Sequence, residues 1–86
     1  MNSATDKWFV YIVQCADSTL YTGIAKDVAA RIDKHNAGTG AKYTRTRRPV
    51  VDVYREEAAS RSEASKREMQ IKALSRKEKL VLIAEN

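Results

Sequence analysis

The chain has 86 residues, 43% of them hydrophobic and 31% charged, which suits one compact domain with a small core. No stretch approaches the ~20 apolar residues of a membrane helix, and the polar start, residues 1–7, lacks the apolar run of a secretory leader. A single cysteine excludes an internal disulfide or a Cys/His zinc framework, so a cytoplasmic setting without a membrane partner is expected; the net charge of +5 favours a polyanion such as nucleic acid.

Trp8-Phe9-Val10-Tyr11-Ile12-Val13 is aromatic and β-branched and predicts a strand over residues 8–14. Cys15 closes it and is expected to be a buried structural thiol. Ala16-Asp17-Ser18-Thr19 supplies turn chemistry, and Leu20-Tyr21-Thr22-Gly23-Ile24 returns as a second strand. A three-residue turn centred on Asp17 would set Tyr21 opposite Val13 and Tyr11 opposite Gly23, making the tyrosines diagonal neighbours on one face. A two-residue turn would place them on opposite faces.

Asp27 reads as the N-cap of a helix over residues 28–36, with Gly38 as its stop. Arg31 and His35 stand at i and i+4 on that helix and share a face. Residues 38–49, GTGAKYTRTRRP, show no apolar periodicity and read as a loop. Val50-Val51-Asp52-Val53-Tyr54 predicts a third strand with Pro49 at its edge. Ser60 with Glu63, and Ser75 with Glu78, have capping-box spacing. They open one helix running to about Leu74 and a last one through Leu80, Val81 and Ile83. The order β-β-α-β-α-α predicts an α+β domain spanning 1–86, with a core of about 8–84: a three-stranded antiparallel sheet packed with helices.

Polar groups converging from a hairpin and the following helix make Tyr11, Tyr21, Arg31 and His35 the candidate site. Each also has an ordinary explanation: strand aromatics for the tyrosines, a solvated helical arginine, and a histidine at a helix C-terminus. Glu68 shares an inward stripe with Ala64 and Ile71, where a carboxylate either rims the core or faces a cation; Lys72 at i+4 offers a plain surface pair instead. Lys42, Arg45, Arg47 and Arg48 fall within seven residues with Tyr43 among them, a composition suited to phosphates and base stacking. Trp8, Phe9, Tyr54 and the two methionines are assigned to the core. Leu82 falls off the main stripe of the last helix, which leaves room there for a small dimer contact, with core packing as the default.

Val10-Tyr11-Ile12, Tyr21-Thr22-Gly23, Arg31, His35 and a helical Glu68 together resemble the GIY-YIG nuclease domain, from about Trp8 to Ile83, in its small stand-alone bacterial form. Phe9 and Val10 stand where the first triplet has glycine and isoleucine, and Thr22 replaces the central residue of the second. An asparagine that some family nucleases place after the glutamate has only Asn86 as a counterpart, to which no role is carried over. The resemblance implies a metal-dependent endonuclease acting on DNA, in repair or recombination. Glu68 would hold one Mg²⁺ or Mn²⁺, Arg31 would take the scissile phosphate, and Tyr11 would be general base with Tyr21 and His35 tuning it. A free tyrosine titrates near ~10, so Arg31 or His35 would have to favour its phenolate. The alternative is a non-catalytic nucleic-acid-binding module on the same fold. Oligomeric state and any targeting partner are left open.

Overall fold

The structure, a computed structural model, describes residues 7–85; residues 1–6, with Met1, and Asn86 lie outside them. The chain runs β1 (Trp8–Gln14), β2 (Leu20–Ala25), α1 (Val28–Ala37), α2 (Lys42–Arg45), β3 (Val51–Ala58), α3 (Arg61–Lys72) and α4 (Arg76–Glu85). The strands form one antiparallel sheet in the order β2-β1-β3. The expected order is present, with one addition: a single helical turn, α2, lies inside the segment that composition reads as loop.

The β1–β2 turn has the three-residue form. Tyr11 pairs with Gly23 and Val13 with Tyr21. Ser18, at φ 71°, takes the left-handed position such a turn requires. Because side chains alternate along β1, its residues feed two separate clusters. Val10 and Ile12 pack with Tyr54, Ala64 and Ile71, on the side covered by α3 and α4. Tyr11, Val13 and Cys15 pack with Val28 and Val50, on the side covered by α1.

β3 continues four residues past Tyr54, because Arg55, Glu56 and Glu57 conceal an edge strand whose exposed charges discourage further pairing. A bulge opposite Ile12/Val13 makes Val53 the extra residue, so Val53 and Tyr54 both meet the same cluster.

Local signals set the helix ends as expected. The Asp27 carboxylate accepts from the Ala30 N–H at 3.0 Å, and Gly38, at φ 85°, caps the end of α1. Ser60 accepts from the Glu63 N–H at 3.2 Å. Ser75 and Glu78 complete a reciprocal box, at 3.1 and 2.8 Å.

Two core assignments, Met69 and Trp8, need correction, while core packing holds for Leu82. Met69 is 70% exposed, since it follows the inward Glu68 by about 100° around α3. Leu82, with Ile83, packs on the core, while Leu80 and Val81 face outward. Trp8 is only half-buried, with Lys26 and Arg61 against its ring. No helix among the described residues is long and apolar enough to cross a membrane.

Candidate active site

The site begins with Tyr11, which points from the central strand across Gly23. A Cβ on Gly23 would lie 2.6 Å from the Tyr11 hydroxyl and 2.8 Å from Cζ, so the phenol occupies space that only glycine leaves open. The phenol is 1% exposed, and its oxygen lies 2.8 Å from His35 Nε2. His35 is wholly buried, reached from the α1 face that it shares with the half-buried Arg31.

The partners on the far side of the imidazole bear on which way the Tyr11 hydrogen bond runs. His35 Nδ1 is 2.8 Å from the hydroxyl of buried Thr44, which in turn lies 2.9 Å from the Ala41 carbonyl. The Ala41 N–H, 3.4 Å from Nδ1, asks for a bare nitrogen there. The Thr44 hydroxyl has one proton; donated to the Ala41 carbonyl, it leaves its oxygen to accept from Nδ1–H. We assign this second arrangement, which has the shorter bonds. Nε2 is then free to accept the Tyr11 proton, and the phenol oxygen is open to Arg31, which can only donate. A chain of Tyr11, His35, Thr44 and the Ala41 carbonyl results, in which the Ala41 N–H gives up its 3.4 Å contact to Nδ1.

Electrostatics correct one expectation from the sequence. Burial pushes the Tyr11 hydroxyl up to about 12; the Arg31 guanidinium opposes the rise, while Tyr21 and the charge of Glu68 add to it. Desolvation outweighs the neighbouring cation, so Tyr11 is a neutral phenol rather than a phenolate. Burial, reinforced by Arg31, likewise holds His35 below its ordinary range, as a neutral imidazole.

Tyr21 meets His35 edge-on with centroids 5.3 Å apart, and Tyr43 stacks on Tyr21 at 5.9 Å. Arg47 lies over Tyr43, its Cζ 3.9 Å from the ring centroid. Thus the basic segment is docked on the site through stacked planar groups.

Its four cations divide into two kinds. Arg47 bonds Asp17 at 3.0 Å and the Tyr43 carbonyl at 2.8 Å, tying the segment to the β1–β2 turn. Arg48 donates to the Arg45 and Asn36 carbonyls, at 2.9 and 3.2 Å, closing the end of α1. Lys42 and Arg45 are exposed and make no ion pair among the described residues. Within the segment expected to contact nucleic acid, Arg47 and Arg48 thus also brace the fold from within, whereas Lys42 and Arg45 do not.

Glu68 lies on the stripe between buried Ala64 and Ile71, its side chain 20% exposed, and its charge acts on Tyr11. It also pairs with Lys72 at 3.3 Å, so the inward placement and the i,i+4 pair hold together. Among the described residues no group of three or more His, Cys, Asp or Glu side chains gathers to hold a metal. One carboxylate suits only a hard cation that keeps most of its waters and takes other oxygen ligands from substrate.

Gly40, Thr44 and Asn36 escaped the sequence reading, as did the packing role of Gly23. Gly23 was accessible through the register, which sets it opposite Tyr11. A Cβ on Gly40 would meet His35 Nδ1 and lie 2.8 Å from its Cα, a packing that no local signal announces. Asn36 pairs with both backbone groups of Val50, at 2.7 and 3.1 Å, and fixes where β3 begins. Cys15 is buried as expected, its thiol pushed up by burial.

A family model described as the GIY-YIG catalytic domain matches residues 7–80. A UPF0213 protein of Staphylococcus aureus (strain Mu3 / ATCC 700698) is 60% identical over 80 residues, which cover 93% of this chain and 98% of that one. Two solution NMR structures are similar as well. The UPF0213 protein BH0048 from Bacillus halodurans has a TM-score of 0.61 at 42% identity, covering 93% of this chain and 85% of that one. The protein EF2693 from E. faecalis has a TM-score of 0.59 at 35% identity, covering 88% and 82%.

Proposed function

The chain belongs to the GIY-YIG catalytic domain family, and from that premise we propose that it is an endonuclease that hydrolyses phosphodiester bonds in DNA with a divalent cation. One observation carries the reading: the buried Tyr11–His35–Thr44 chain opens beside Arg31, Tyr21 and Glu68. A core has no need of a relay of proton carriers beside an arginine. A phosphodiesterase needs a route for the proton of the attacking water, a cation for the phosphate and a carboxylate for a metal.

Tyr11 acts as a neutral relay in this mechanism. Its oxygen accepts the proton of the attacking water as its own proton passes to His35 Nε2, giving an imidazolium whose Nδ1–H is held by Thr44. Arg31 disfavours that imidazolium in the free protein, and a scissile phosphate bound to its planar fork offsets the penalty. Tyr21 packs against the imidazole and holds its plane. Glu68 would hold one Mg²⁺ or Mn²⁺ after releasing Lys72; the ion supplies charge neutralisation at the phosphate. Exposed Lys42 and Arg45, with Tyr43, contact the substrate strand outside the cut. DNA repair or recombination is the cellular setting that fits such an activity.

The Glu68–Lys72 pair also favours a second reading, a DNA-binding module that no longer cuts, because a carboxylate already paired gains less from a metal. End-labelled single-stranded, duplex and branched DNA with Mg²⁺ or Mn²⁺ separates the two. Cutting that is abolished by EDTA, and lost in Glu68→Ala, Arg31→Ala and Tyr11→Phe, is expected. Wild-type protein that binds every substrate and cuts none would establish the binding module.

A further inference from the structure

A second cationic cluster lies away from the chemistry just described. Trp8, on the α3 side of the sheet, has Lys26 Nζ 5.8 Å and Arg61 Cζ 5.7 Å from its ring centroid. The two cations come from different elements, the turn before α1 and the first position of α3. Neither has a carboxylate partner among the described residues, and both are exposed. An indole face attracts cations, but gathering two of them leaves a local excess of positive charge that only an outside anion would neutralise.

The position of the cluster identifies that anion. Trp8 precedes Tyr11 by three residues on β1 and therefore lies on the other face of the sheet, the face that α3 covers and Glu68 shares. Arg61 precedes Glu68 by seven residues on α3, about 10 Å along the axis and nearly on the same face after two turns. The α3 spacing thus sets the cluster about 10 Å from Glu68. A duplex advances ~3.4 Å per nucleotide along its axis, so about three nucleotides span the gap. Lys42, Tyr43 and Arg45 belong to the segment docked on Tyr21, at the start of β2, whereas Lys26 follows the end of that strand. The two basic groups thus flank the site from opposite ends of one strand.

We propose that Lys26 and Arg61, held against Trp8, form a second phosphate clamp, gripping the DNA backbone about three nucleotides from the scissile phosphate. It rests on the nuclease reading above, since it assigns the clamp to the same substrate. It also explains how so small a domain orients its substrate, with backbone contacts on both sides of the cut and no base readout.

The test is a fluorescence anisotropy titration of labelled duplex and single-stranded DNA over a salt series. Wild type is compared with the Lys26→Gln/Arg61→Gln double variant and with Lys42→Gln/Arg45→Gln. Losing one phosphate contact is expected to reduce the slope of log K against log salt by about 0.9 on duplex or 0.7 on a single strand. Trp8 is the sole tryptophan, so its emission reports on the clamp without any cleavage, and it should change on DNA addition with the same midpoint. Thermal melting of the variants checks that they are folded. If wild type binds DNA while the Lys26/Arg61 variant keeps both its affinity and its slope, the clamp is refuted and the nuclease reading survives. Trp8 emission that stays constant as DNA saturates the protein refutes it equally. Wild type that binds no DNA at all removes both proposals.

Discussion

Replacing Gly23 with alanine tests whether Tyr11 is held by space or only by its hydrogen bond. The backbone at Gly23 has no left-handed requirement, so the methyl group itself is the perturbation. It would lie 2.6 Å from the phenol oxygen, 2.8 Å from Cζ and 3.0 Å from Cε1. Carbon contacts are comfortable at ~3.5–4.0 Å, so the ring must withdraw by close to ~1 Å. It has nowhere to go, being 1% exposed, and such a shift breaks its 2.8 Å bond to His35. Overpacking costs about 1–3 kcal/mol, and the lost bond adds about 0.5–1.5 kcal/mol. A central value of about 3 kcal/mol lowers Tm by roughly 12–24 °C in a domain of this size. Scanning calorimetry on wild type, Gly23→Ala, Tyr11→Phe and the double variant is the assay. Removing the oxygen relieves the shortest contact but leaves Cζ in place, so the alanine should cost about 1 kcal/mol less in the Tyr11→Phe background. A fall in Tm under about 3 °C for Gly23→Ala would refute the argument, because it would mean that the ring moves freely.

Thr22, on the opposite face of β2, is buried with no partner for its hydroxyl among the described residues. Thr22→Val removes that orphan and should stabilise the fold by about 1 kcal/mol or more, raising Tm by at least ~4 °C; an unchanged or lower Tm means that a water already satisfies it. Stability should form a plateau in pH. His35 is held below its ordinary 6.5, so the fold binds fewer protons there than the unfolded chain, and stability falls as pH drops below about 6.5. Tyr11 is raised from 10.0 to about 12, so its contribution is complete below pH 10 and is lost as pH climbs toward 12. Chemical denaturation across pH checks both limbs; His35→Gln should flatten the acid one, and an acid limb unchanged in that variant would remove His35 as its cause.

Periodicity and turn chemistry carried most of the fold. The hairpin register followed from one turn length, and the starts of α1, α3 and α4 each followed from a short polar residue before the helix, whereas α2, which begins after Ala41 with no side-chain cap, gave no such signal. Arg31 and His35 were legible as a pair because helical spacing is local. Contacts made by an irregular segment were not. Thr44 looks like any loop threonine, and only the tertiary path of residues 38–49 brings its hydroxyl to the imidazole. The protonation of Tyr11 was misjudged for a related reason. Sequence shows which charges are near in the chain, but desolvation depends on how completely a group is enclosed, and here enclosure outweighs Arg31. The bracing by Arg47 and Arg48 was not legible either, because composition shows charge without showing which carboxylate or carbonyls it meets.

The docking of residues 38–49 makes an ostensible surface loop part of the candidate site. Surface connections ordinarily accept insertions at small cost. Between Gly40 and Arg47 that tolerance should vanish. Gly40 presses on the imidazole, Thr44 fixes its tautomer, and Tyr43 with Arg47 completes the stack. One added residue would put each of these out of step at once. A peptide inserted for tagging or circular permutation is better placed elsewhere, and the length of this segment shapes the candidate site as much as the identity of its residues does.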